Sequence, residues 1–150
     1  MKMNTKKKVI LISAGDPNSI ATEITIKAIE NSKINKNIKP IVVSNSKLIE
    51  NCKKNIQSNI KLNEIQDKVK FSDFKKNYLN IISINLPENT VSEKQNIQDA
   101  FFIKNSIITC IETEMSSTAS AIVTNPINKK MMYKSGFNFQ GHTDFLASLS

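Results

Sequence analysis

The chain has 150 residues, room for one ordinary domain, and its 39% apolar share can support a core. Net charge is +8, yet all 21 basic residues are scattered lysines; without arginine there are no bidentate contacts to guanine or phosphate, which argues against a nucleic-acid-binding protein. No apolar run approaches the roughly 18 residues that span a bilayer, and two isolated cysteines with a single histidine supply neither a disulfide framework nor the ligands of a closed transition-metal site.

The basic start, Met1 to Lys8, reads as a solvated tail. Val9-Ile10-Leu11-Ile12 is too short for a signal-peptide core and lacks a cleavage site, so the expected location is the cytoplasm. Lys8 to Ser13 reads as a buried strand ending in the turn cluster Gly15 to Ser19. A helix follows from about Ile20 to Ser32, with Ile20, Ile24, Ala28, Ala21 and Ile29 on or near one face. Lys39 to Ser44 is a second strand, and Asn45 or Ser46 caps a helix toward Ile56.

Val69 to Phe74 reads as a short strand, Leu79 to Leu86 as another, and Pro87 to Lys94 as a polar loop. A long helix covers Asn96 to Met115, its stripe formed by Ile97, Ala100, Phe101, Ile107, Ile108 and Ile111. The serines at 116, 117 and 120 break that pattern before a buried strand, Ala121 to Thr124, stopped by Asn125-Pro126. A helix from about Ile127 to Ser135 ends at Gly136, a plausible residue just past a helix C-terminus. After a Phe-rich loop, Gly141-His142-Thr143-Asp144 opens a last helix. Strands alternating with helices imply an α/β fold: a largely parallel sheet with helices on both faces, its ligands gathered at the carboxyl ends of the strands.

Three segments carry possible chemistry. Gly15 to Glu23 is a strand-to-helix turn whose free N–H groups lie near a positive dipole end. With a single glycine it is not the GxGxxG fingerprint, and a plain βα turn capped by Asp16 or Ser19 explains it as well. Thr124 to Lys129 brings a hydroxyl, two amides and an ammonium to one rim. Lys129 there either pairs with a phosphate or carboxylate or is a solvated residue at a capped helix start. In the third block, His142 can hydrogen-bond a substrate or exchange a proton near neutrality, with Thr143 as helix cap; the plainer reading is a surface histidine.

Taken together, these blocks resemble one family. It carries a Gly-Asp/Glu-Pro turn after the first strand, as at Gly15-Asp16-Pro17, followed by Ile20 and Glu23. Thr-x-Pro-Ile-x-Lys recurs as Thr124 to Lys129, and Gly-Phe-x-Phe-x-Gly-His-Thr-Glu/Asp-Phe-Leu as Gly136 to Leu146. The family is that of the 4-hydroxythreonine-4-phosphate dehydrogenases and their relatives acting on four-carbon acid phosphates. The chain departs from it at residues 18–22, where two glycines and a proline of the family pattern are replaced.

The resemblance implies a two-domain fold like that of the isocitrate and isopropylmalate dehydrogenases, about twice as long, with this chain as the N-terminal part of it. It implies homodimers and oxidation by NAD of the 3-hydroxyl of 4-phosphooxy-threonine. Decarboxylation to 3-amino-2-oxopropyl phosphate follows, within pyridoxal phosphate biosynthesis. It also implies a divalent metal (zinc, magnesium or cobalt) whose ligands are expected beyond residue 150, none of them in this chain. His142 and Thr143 correspond to the family's substrate-binding pair, with Asp16, Thr124, Asn125 and Lys129 as possible rim residues; the catalytic and NAD-binding residues are not identified. The expected partner is a small phosphorylated substrate, without nucleic acid or membrane. The 150-residue chain alone is expected to be inactive. Threonate or erythronate 4-phosphate is an alternative substrate, and a non-catalytic ligand-binding α/β module is the alternative if the native chain ends at residue 150.

Overall fold

The computed structural model describes residues 8–31, 33–34, 37–66, 69, 71–88, 97–115 and 119–149. The expected tail at residues 1–7, most of the loop at 87–94 and the serines at 116 and 117 lie outside them. The strands are β1 (Lys8–Ser13), β2 (Ile38–Ser44), β3 (Lys61–Glu64), β4 (Tyr78–Ser83) and β5 (Ala121–Val123). The helices are α1 (Ala21–Asn31), α2 (Ser46–Asn55), α3 (Ile97–Met115), α4 (Lys129–Lys134) and α5 (His142–Leu149).

The five strands form one sheet in the order β3-β4-β2-β1-β5, and every pairing is parallel. β2 explains why both faces need helices. Ile41 and Val43 join Val9, Leu11, Ile82 and Cys110 of α3 on one face. Val42 joins Leu79, Ile81, Ile26 of α1 and Ile49 of α2 on the other. A strand apolar at consecutive positions, as at Ile41, Val42 and Val43, is stable only when covered on both sides. Burial pushes the Cys110 thiol up to about 12.

The chain switches faces between β1 and β5. From β1 it leaves through α1, covering one face, to β2; it reaches β5 through α3, which covers the other. The carboxyl ends of β1 and β5 therefore flank the point at which strand order reverses, where open α/β sheets place ligands.

Several sequence expectations are corrected. Residues 71–73 form a single 3₁₀ turn rather than a strand, and the strand of that region is β3, ten residues earlier. Lys61-Leu62-Asn63-Glu64 has one apolar residue; pairing with Tyr78–Ile81 of β4 makes it a strand. β4 ends at Ser83 rather than Leu86. β5 is an edge strand and not a buried one, because among the described residues only β1 pairs with it, and Val123 is 48% exposed.

The buried side of α1 is Ala21, Thr22, Thr25 and Ile26, whereas Ile20, Ile24 and Ala28 face outward. Thr25 is drawn in because its hydroxyl accepts a hydrogen bond from Asn125. On α3, Phe102 and Ile103 are fully buried while Ile97 and Phe101 face outward.

Candidate functional site

Gly15 is the pivot of the β1–α1 turn. Its φ is +73°, and a Cβ there would lie 2.7 Å from Asn125 Cβ, 2.8 Å from Ala21 Cβ and 2.8 Å from the Pro126 carbonyl oxygen. Glycine is required for both the left-handed backbone and the close approach. The turn then closes on its own side chains. Asp16 Oδ1 accepts from the Asn18 N–H (2.9 Å), and Ser19 Oγ accepts from the Ala21 N–H (3.1 Å) at the start of α1. Asn18 Nδ2 reaches across to Asp99 Oδ2 in the first turn of α3 (2.9 Å). These contacts hold residues 16–21 in a defined turn without the family's extra glycines and proline.

The β1 and β5 turns are stitched together. The Asp16 N–H donates to the Pro126 carbonyl (3.0 Å), and the Asn125 N–H donates to Ser13 Oγ (3.2 Å). Asn125 Nδ2 donates to the Ser13 carbonyl and to Thr25 Oγ1, both at 2.7 Å, and Thr25 Oγ1 donates to the Ala21 carbonyl (2.8 Å). Of the expected rim residues, Asp16 and Asn125 are therefore buried in the wall of the crevice, while Thr124 is half-buried and Lys129 exposed. Ser13 and Thr25, invisible as site residues in the sequence, complete the stitch; their partners lie 100 residues or more away.

Two short helices carry the remaining groups. α4 starts at Lys129, two residues later than expected, because Asn128 is its cap: Asn128 Oδ1 accepts from the Met131 N–H (3.1 Å). It ends as anticipated. Gly136 takes φ +86°, its N–H meets the Tyr133 carbonyl, and the Phe137 N–H meets the Met132 carbonyl. This paired closure turns the chain and places Phe137 in the core. Phe137, Phe139 and Phe145 then pack with all three centroid separations at 5.1 Å. Edge-to-face aromatic packing of this kind is directional, and it anchors the start of α5 from both sides.

α5 begins at His142, so Gly141 and not Thr143 holds the cap position; the Phe145 N–H bonds the Gly141 carbonyl. Asp144 Oδ2 reaches back to accept from the Gln140 N–H (3.2 Å), one residue before the cap, and ties the first turn to the loop that precedes it. Thr143, in the first turn, is exposed. His142 is half-buried, and its Nε2 is buried with no hydrogen-bond partner among the described residues. Burial, and then the nearby Lys129 ammonium, pull its proton affinity below the ordinary histidine value. The structure thus brings His142 and Lys129 together from separate helices. Among the described residues no group of three His, Cys, Asp or Glu stands together to hold a metal ion.

The profile of the family described as pyridoxal phosphate biosynthetic protein PdxA matches residues 36–150. The chain belongs to this family. It is 29% identical over 153 aligned positions to a provisionally assigned D-threonate 4-phosphate dehydrogenase of Clostridium botulinum strain Hall, covering 99% of this chain and 45% of that protein. It is 30% identical over 144 positions to a 4-hydroxythreonine-4-phosphate dehydrogenase of Sulfurihydrogenibium sp., covering 94% and 42% respectively. A solved structure of a provisionally assigned 4-hydroxythreonine-4-phosphate dehydrogenase from Salmonella typhimurium superposes with TM-score 0.82 at 27% identity, over 95% of this chain and 44% of that one. The chain spans less than half the length of the relatives it matches. The all-parallel sheet is the family's fold, seen here for the part that the chain covers.

Proposed function

We propose that the chain is the N-terminal part of a two-domain NAD- and metal-dependent dehydrogenase. It oxidises the 3-hydroxyl of 4-phosphooxy-threonine, and the resulting β-keto acid loses carbon dioxide to leave 3-amino-2-oxopropyl phosphate, within pyridoxal phosphate biosynthesis. Family membership supports the dehydrogenase class. The observation that carries the site is His142, whose buried Nε2 has no hydrogen-bond partner among the described residues and whose position near Lys129 favours the neutral imidazole. A neutral imidazole offers one donor and one acceptor to a polyhydroxylated acid, where an imidazolium offers donors only. The exposed Thr143 hydroxyl adds a second polar contact, and the Lys129 ammonium offsets the charge of a carboxylate or phosphate.

In this proposal His142, Thr143 and Lys129 hold substrate. The metal and the downstream substrate contacts belong to the remaining length seen in the relatives, and the working form is a homodimer. D-Threonate 4-phosphate is the second reading, favoured by the provisional assignment of the Clostridium botulinum relative.

The test is steady-state kinetics on both phosphates, using the chain completed to the length of its relatives. Loss of a substrate hydrogen bond costs about 0.5–1.5 kcal/mol, and more where a charged group loses its partner. His142→Ala should therefore lower kcat/KM by about tenfold or more, and Thr143→Val by less. NAD affinity measured by calorimetry should stay unchanged in both. Near-normal turnover by His142→Ala overturns the site assignment. Preference for threonate 4-phosphate replaces the substrate.

A further inference from the structure

We infer that a second ligand site, for a small aromatic carboxylate, lies at the opposite end of the sheet, where β2 and β4 begin. A cavity of about 610 Å³ opens there, at the amino ends of the strands and away from the His142 rim. That volume falls in the range of small-molecule sites. Ile34, Ile38, Ile60 and Phe74 form its apolar wall, with Tyr78 beside them.

The floor is held in place rather than left to collapse. Asn80, fully buried in β4, accepts from the Lys75 N–H (2.8 Å) and donates to the Lys75 carbonyl (2.9 Å) and the Tyr78 carbonyl (3.0 Å). Asn63 of β3 donates to Asn80 Oδ1 and to the Asp73 carbonyl, both at 2.8 Å. Two buried amides thus fix the loop from Asp73 to Tyr78 that carries Phe74 and Lys76 into the cavity, and Asn77 turns it through φ +64°. A loop fixed by buried side chains is preorganised, so a ligand does not have to order it on binding.

Charge selects the occupant. Lys39 and Lys76 line the cavity, and Lys39 Nζ lies 5.0 Å over the Phe74 ring. Glu30 is the one carboxylate among the lining residues, and its Oε2 already accepts from Ser58 Oγ (2.8 Å). The exposed Lys76 at the edge of an apolar, aromatic-walled cavity matches a flat apolar body bearing one negative charge. The same chemistry explains why a neutral molecule of equal shape should bind less well.

Naphthalene-2-carboxylate is the probe, with 2-naphthylmethanol as its neutral counterpart; the readout is backbone amide NMR shifts of the chain completed to the length of its relatives and selectively labelled at isoleucine and tyrosine. Saturable shifts are expected at Ile34, Ile38 and Tyr78, with the alcohol bound about tenfold more weakly. Ile34→Glu, at a partly exposed position on the rim, and Lys76→Glu should each weaken the carboxylate by about tenfold or more while leaving the His142 ring resonances in place. Lys76→Gln, which removes only the charge of an exposed residue, should produce a smaller loss of the same sign. Absence of saturation overturns the proposal. So does equal affinity for the alcohol, or binding indifferent to Ile34→Glu and to both Lys76 variants.

Discussion

His142 sits where two elements of different origin converge, and its proton affinity reports that convergence. Burial lowers it first and the Lys129 ammonium second. The sign follows from linkage. Above the unfolded histidine value, about 6.5, the imidazole is neutral in both states and its full contribution to stability is present. As pH falls below that value the unfolded chain takes up the proton first, so stability is lost until the lower folded value is passed. Because His142 is the one histidine in the sequence, its ring protons can be titrated by NMR without assignment ambiguity. Lys129→Met should raise the folded value toward the ordinary one without reaching it, since burial is unchanged, and should shrink the acid-side loss of stability. No movement in Lys129→Met would place the ammonium outside the field of His142.

Among elements, the β1–α1 and β5–α4 turns act as a single unit. Asn125 joins them through three hydrogen bonds to Ser13 and Thr25. Asn125→Ala keeps the backbone N–H bond to Ser13 Oγ but strands the buried Ser13 carbonyl and the Thr25 hydroxyl's acceptor side. Leaving a buried group unpaired costs about 1–3 kcal/mol. We expect that loss in urea unfolding, with a midpoint shift and an unchanged slope. An effect within about 0.5 kcal/mol, the level of an ordinary surface substitution, would show that the stitch is not a source of stability. The same two turns position Lys129, so the variant should also relax the field at His142.

Across the whole molecule, the unburied apolar surface concentrates at the carboxyl end of the sheet. Ile20 is 64% and Phe101 54% exposed, Ile24 and Ile97 lie on the same outward stripes of α1 and α3, and β5 presents an unpaired edge ending in Val123. Exposed apolar stripes next to an open edge favour association. No helix among the described residues is long and apolar enough to cross a membrane. The 150-residue chain is expected to bind a hydrophobic dye and to self-associate, as judged by fluorescence and sedimentation. A dye-silent monomer with a sharply cooperative transition would count against a two-domain parent in which this surface is covered.

Much of this was legible in the sequence alone. Short β-branched runs announced β1, β2 and β4, because strands buried on both faces must be apolar at consecutive positions. Asn45 and Gly136 marked helix ends through local side-chain and backbone rules that need no distant partner. The order and spacing of the Thr124–Lys129 and Gly136–Leu146 blocks carried the family resemblance. What only the tertiary structure decided was everything that depends on contacts far apart in sequence. β3 is a strand because β4 pairs with it, not because of its own composition. α1 buries Thr25 rather than Ile24 because Asn125, 100 residues away, supplies a hydrogen bond that makes the polar side the inner one. Asp16 and Asn125 became wall and Lys129 remained rim for the same reason: local sequence sets what a side chain can do, and the packing of distant segments sets which of those capacities is left for a ligand.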